Sequence, residues 1–303
     1  MLIHRHLLTR DLSLAVPLFA ASKVHLCSEH HRAIGTLYLQ YKAPLSLAEY
    51  LESCKISKTN LWAVHYTKFL IGLVGRLHYV AGVVHTDIKG GNLLLPEADE
   101  HQDGDFPSFK FCDFGISAFL HLQNGPREYA LNLHPRSNFL HFPPESEGYN
   151  IEHLDSHGDH SESLGHCKTC RTQAQAVDIW AIGCLLLGGL CQNRAEVNGI
   201  TDLVIRCVTA AKGQERNSAH DRLVEQAGVL INHYTAMKSS DHAHNNSSSA
   251  HWLQQNSSHL INLFSLDYEH RVTAFRETVK VMGLVSKDHI QAFEREEKRC
   301  QGH

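Results

Sequence analysis

The order of apolar and polar positions along the chain predicts a mainly helical protein with a few short strands. Thr36 to Lys42 (TLYLQYK) alternates apolar with polar residues, the period of a half-buried strand. Ser46 to Leu51 (SLAEYL) opens on a cap-forming Ser and predicts a short helix. Leu61, Val64, Phe69, Leu70, Leu73, Val74 and Leu77 recur at helical spacing, so 59–80 is expected to be an amphipathic helix. Val83 and Val84 then lead into His85, and Asn92 to Leu95 and Phe109 to Cys112 predict a pair of short strands. The acidic stretch between them (Glu97, Asp99, Glu100, Asp103, Asp105) reads as a solvated loop.

Farther on, Ala176 to Leu190 predicts a strongly apolar helix, and 200–212 and 219–235 predict two more. The longest apolar run, Ile179 to Cys191, falls short of the ~20 residues a bilayer span needs and fits a buried helix. Residues 238–259 (KSSDHAHNNSSSAHWLQQNSSH) are so rich in Ser, Asn and His that they are expected not to order. Asn245, Asn246 and Asn256 stand in N-x-S triplets, which matter only in a secreted chain. Ala274 to Arg299 predicts a helical, increasingly charged tail, while residues 1–35 are weakly patterned.

Composition narrows the class. With 43% hydrophobic and 20% charged residues the chain is an ordinary globular one, which excludes a wholly disordered protein. A net charge of −4 gives no electrostatic footprint for nucleic acid or an anionic membrane. The 25 His residues are unusual; with a pI near 6.7, mild acid would make the net charge positive. Nine Cys, odd in number and mostly scattered, point to a reducing compartment. The expected location is therefore intracellular and cytoplasmic, with the nucleus left open. Leu12 to Ala21 follows a basic start as in a signal peptide, but Asp11 and Pro17 argue against one.

Most of the chemistry lies in Val83–Leu95 and Phe111–Gly115. These stretches place Asp87, Lys89, Asn92 and Asp113 on turns beside short strands. Phosphoryl transfer needs such a set: a carboxylate to orient the attacking hydroxyl, a carboxylate and an amide oxygen for a hard cation, and a positive charge for the transferred group.

His85–Asn92 matches the pattern H-x-D-x-K-x-x-N and Asp113–Gly115 matches D-F-G, and here the chain resembles the eukaryotic protein kinase family. The resemblance extends to five further stretches. Pro143-Pro144-Glu145 stands where the family has A-P-E, and Asp178–Gly183 (DIWAIG) resembles its D-x-W-x-x-G helix. Asp267–Ala274 (DYEHRVTA) resembles D-P-x-x-R-x-T-A, and 37–51 resembles the hinge between the lobes. Helix 59–80, ending in Leu77-His78-Tyr79, resembles the helix that feeds the catalytic loop.

That resemblance implies an α+β, protein-kinase-like fold with a mainly helical large lobe and a truncated N-terminal β lobe. Residues 1–42 would be the N-lobe remnant and hinge strand, and 43–290 the large lobe. Insertions would fall at about 96–108, 146–175 and 212–258, and 291–303 would be a charged tail. The implied activity is that of a serine/threonine kinase moving the ATP γ-phosphoryl group to protein hydroxyls with Mg²⁺. Asp87 would be the catalytic base and Lys89 would contact the γ-phosphate. Asn92 and Asp113 would hold metal and cofactor. His85, Phe114, Gly115 and Asp178 would support the loop, and Arg271 would pair with Glu145. The implied partners are ATP and a protein substrate, with no nucleic acid or membrane.

The chain also departs from the family. The 35 residues before Thr36 contain no G-x-G-x-x-G loop and no well-placed strand Lys. Two expectations stay open: a small lobe encoded upstream of Met1, or an inactive pseudokinase serving as a binding scaffold. Thr86 replaces the usual Arg, and Ser137-Asn138-Phe139 replaces G-T-P. Ser117, Tyr129 and Ser137 fall in the activation segment as phosphorylation candidates or plain polar groups, and the Cys112 thiol reads as strand packing. Cys167-x-x-Cys170, near His153, His157, His160 and His166, has zinc-ligand spacing, but a single such pair fits a loop better.

Overall fold

A computed structural model describes residues 2–16, 18–27, 32–40, 45–53, 58–95, 106–115, 117–120, 143, 168–210, 213–237 and 243–301. The elements run α1 (Leu2–Arg10), β1 (Leu18–Cys27), β2 (Arg32–Gln40), β3 (Leu45–Ser46), α2 (Leu47–Ser53), α3 (Asn60–Tyr79), β4 (Val83–Val84), a 3-10 turn (Gly90–Asn92), β5 (Leu93–Leu95), β6 (Lys110–Phe111) and β7 (Ala118–Phe119). Then follow α4 (Lys168–Leu190), α5 (Arg194–Thr209), α6 (Gln214–Ala236), α7 (Ala243–Ile261), α8 (Tyr268–Val281) and α9 (Lys287–Gln301). The described chain is thus mostly helical with three small antiparallel sheets: β1–β2, β3–β5–β6 and β4–β7.

Local chemistry sets several helix starts. Ser46 and Glu49 form a reciprocal cap: the Ser46 hydroxyl accepts from the Glu49 N–H at 3.3 Å, and the Glu49 carboxylate accepts from the Ser46 N–H at 2.8 Å. Thr59 caps α3 by accepting from Trp62 N–H at 3.2 Å, and Asn193 caps α5 by accepting from Glu196 N–H at 3.0 Å. Asp267 caps α8 through the N–H groups of Glu269 and His270. Gly82, at φ 64°, turns the chain out of α3 into β4, a conformation that favours glycine.

Helix α4 is the axis of the helical body, packing against α3, α5 and α8. Its stretch Arg171–Leu190 is long and apolar enough to cross a membrane, yet 83% of that window is buried inside the fold. That burial is the mark of a core helix. It meets α3 closely because Gly189 has no side chain: a Cβ there would lie 2.2 Å from the Tyr66 ring, whose hydroxyl donates to Leu185 O at 2.6 Å. On another side Trp180 packs edge-on to Phe264 and lies under the Arg271 guanidinium. The described cysteines Cys112, Cys184, Cys191 and Cys207 are free thiols.

One expectation is overturned. Residues 243–259 of the Ser/Asn/His-rich stretch, with Leu260 and Ile261, form α7 instead of remaining unordered. Ser249, Leu253, Asn256 and Leu260 recur at steps of four, three and four and all are buried. Asn256 satisfies its own amide by donating to Trp252 O at 2.7 Å, and Trp252 receives Lys68 on its ring face. Two leucines, a tryptophan and self-satisfied polar groups suffice once α3 and α6 supply the other wall. Buried Asn256 also leaves its N-x-S triplet inaccessible. The charged tail differs too: it is two helices broken at Gly283 (φ 65°), and α9 docks through buried Ile290 and Phe293 and the Arg276–Glu297 pair.

Leu253→Ala tests the buried face of α7. It should cost about 2–5 kcal/mol in urea unfolding; a cost under ~0.5 kcal/mol would show that α7 contributes little to the core.

Candidate functional site

The turn after β4 is fixed from below by one buried carboxylate. Asp178, on α4, accepts from His85 N–H at 2.8 Å and from Thr86 N–H at 2.7 Å. His78, at the end of α3, brings Nε2 to 2.9 Å from the same carboxylate. Both side chains are wholly buried, so these contacts replace the water that a carboxylate otherwise needs. Thr86 has φ 64°, a left-handed conformation costly for a β-branched residue, and consecutive N–H groups converge on the carboxylate across it.

His85 ties this turn to the next. Its Nε2 lies 2.9 Å from Cys112 O; a carbonyl only accepts, so Nε2 carries the hydrogen. Nδ1 then accepts from Asp87 N–H at 3.4 Å. Burial pushes the imidazole pKa below its ordinary value, so the ring is neutral at pH 7. Ser117 donates to His85 O at 2.9 Å and is buried, which removes it as an accessible phosphorylation site. Phe111 and Phe114 pack on the same imidazole at 5.0 and 4.9 Å.

On this base stand the polar residues singled out in the sequence. Lys89 Nζ lies 2.8 Å from the Asp87 carboxylate. Asn92 Nδ2 donates to Asp87 O at 2.8 Å and to its carboxylate at 3.0 Å. Gly90 lets the 3-10 turn sit on α2, since a Cβ there would press on the Ala48 backbone at 3.1 Å. The β5–β6 ladder brings in Asp113: Cys112 N–H donates to Asn92 O at 2.9 Å, and Leu93 pairs with Phe111. Asp113 is exposed with φ 58°, and Gly115 follows closely, a Cβ there meeting Asp113 Oδ1 at 3.2 Å. The Cys112 thiol is buried and pushed up to about 11, so it stays protonated and packs.

Asp87, Lys89 and Asn92 are therefore in direct contact, Asp113 is joined to them by one ladder, and His85, Phe114, Gly115 and Asp178 surround them. Arg271 stands apart, over Trp180 at 5.5 Å and donating to Ser265 O. Its expected partner Glu145 lies outside the described residues, as do Asn138, Tyr129, Cys167 and the histidines of 153–166. Cys170 is described only as backbone within α4. Among the described residues no cluster of three His, Cys, Asp or Glu could hold a metal. His78 was not assigned a role from the sequence, although it falls four residues after Val74 on the apolar stripe of α3. No protein-family model matches the chain, and no curated protein matches it either.

Asp178→Asn should lower stability by about 3 kcal/mol by leaving a buried donor against His78 or the backbone N–H pair. Amide exchange at His85 and Thr86 should accelerate beyond that of α4; unchanged protection there would remove Asp178 as the anchor.

Proposed function

We propose that the chain is a protein-kinase-like phosphotransferase of the serine/threonine type, transferring the ATP γ-phosphoryl group to protein hydroxyls. The observation that carries this reading is the Asp87–Lys89–Asn92 contact set on a loop pinned by Asp178. Asp87 is held in place by two donors and is one-eighth exposed, enough to meet a substrate hydroxyl. In the proposed step the hydroxyl oxygen forms the new bond to phosphorus, the bond to the ADP oxygen breaks, and the hydroxyl proton passes to Asp87. Lys89, beside Asp87, brings positive charge to the transferred group.

The residues present fit Mg²⁺. Asn92 turns its nitrogen to Asp87, which leaves its amide oxygen as a hard donor, and Asp113 presents an exposed carboxylate one strand across. Bound Mg²⁺ would supply neutralisation of phosphate charge. Asn92 and Asp113 would orient it, and their spacing is held by the Cys112–Asn92 backbone bond.

A second reading is an inactive pseudokinase that uses the helical body as a binding scaffold. It is favoured by the lack of any G-x-G-x-x-G loop in the 303 residues, since this chemistry depends on gripping the phosphates. Radiometric transfer from γ-labelled ATP to protein or Ser/Thr peptides separates the two. Under the first reading Asp87→Ala lowers the rate by about 10²–10⁴-fold without loss of the fold. Absence of any Mg²⁺-dependent transfer by the unmodified protein would leave only the scaffold.

A further inference from the structure

Helix α1 reaches the edge of the site through two imidazoles. His4 is buried, its Nε2 is 2.5 Å from Val16 O, and its ring stands at 88° to Phe114 with centroids 5.5 Å apart. Phe114 lies against His85 on its other contact, at 4.9 Å. A column of three rings, His4–Phe114–His85, therefore joins α1 to the loop that carries Asp87. Two residues along, His6 brings Nε2 to 2.8 Å from Ala81 O and meets the Phe119 ring at 5.0 Å and 84°. Carbonyls only accept, so both rings carry hydrogen on Nε2.

We infer that α1 is an acid-released clasp: protonation of His4 detaches the helix from Phe114, and the Asp113 turn then loses its fixed geometry. The Val16 carbonyl accepts from the ring in either protonation state, and burial outweighs that contact for the cation. Val16, whose carbonyl meets the ring, follows Leu14 and Ala15, so this segment brings no charge. Across Phe114 stand neutral His85 and the exposed Asp113; on its own helix are Arg5, His6 and Arg10. Asp11, just past the helix end, faces Arg76 at 3.7 Å, and Lys110 follows on β6. No carboxylate lies within ion-pair distance of His4 among the described residues.

Burial pushes the His4 pKa below its ordinary 6.5. The docked, neutral ring therefore contributes its full stability above the unfolded pKa and loses it as pH falls through the lowered folded value. Phe114 adjoins Asp113, whose left-handed backbone persists only while its neighbours hold it. The inference concerns the geometry of that turn and holds whether or not the chain turns over ATP.

Hydrogen exchange on the full chain, corrected for intrinsic rates, tests it between about pH 7.5 and pH 5. The expected result is a loss of protection in α1 and at residues 113–115 that grows by up to ~10-fold per pH unit as pH falls below the ordinary imidazole value of 6.5, while α4 keeps its protection. His4→Gln, which keeps a donor for Val16 O but does not titrate, should make α1 protection independent of pH; His4→Leu, which restores an apolar contact to Phe114, should do the same. Protection in the unmodified protein that does not change with pH would overturn the clasp. So would an identical acid-induced loss in both variants, or a loss shared equally by α4.

Discussion

The structure around the candidate site depends on one buried carboxylate. Asp178 sits in the interior of α4 and accepts from two consecutive backbone N–H groups and from His78. A carboxyl group buried in that position is tolerable only with those partners, which hold the loop in the conformation that presents them. The left-handed turn at Thr86 follows from this, and with it the direction in which Asp87 leaves the turn. Because α4 is the core helix, the geometry of Asp87 is set by the packing of the whole helical body. The close approach of α3 at Gly189 and Tyr66 serves the same end, since α3 delivers both His78 and the strand that leads to His85.

The site then extends outward in two layers. Asn92 links Asp87 to the β5–β6 ladder, and that ladder sets where Asp113 emerges. His85 links the same turn to Cys112 and Phe114, so the two polar turns share one imidazole as their joint. Residues 14–16 are joined to β6 by paired backbone bonds between Val16, Leu14 and Phe111. The N-terminal segment is thus continuous with the site, and α1 contributes His4 and His6 to it. In a chain with 25 histidines, those at positions 4, 78 and 85 are buried with defined partners; the count alone says nothing of this.

Much of the fold was legible because period and caps are local. The α3 stripe, the cap-forming Ser46 and the apolar α4 each announce themselves within a few turns of sequence. The polar set Asp87, Lys89, Asn92 and Asp113 stood out by residue type and spacing, and the fold brings the first three into contact with Asp113 one strand across. Helix α7 was not legible: its Ser and Asn content outweighed two leucines, and composition does not reveal that α3 and α6 provide a wall for them. His78 and His4 were missed because their partners lie far away in sequence, at Asp178 and Phe114. The helix break at Gly283 lay inside a stretch, Ala274 to Arg299, that reads as one charged helix.

In the proposed function Asn92 and Asp113 would form the cation-holding side of a nucleotide site served by Asp87 and Lys89. Calorimetric titration of the protein with ATP, with and without Mg²⁺, meets it most directly when repeated on Asp113→Asn. The account requires Mg²⁺-dependent binding that the substitution weakens by ~10-fold or more, the loss of a charge-assisted contact. Nucleotide binding indifferent to both Mg²⁺ and Asp113, or no binding at all, would contradict it.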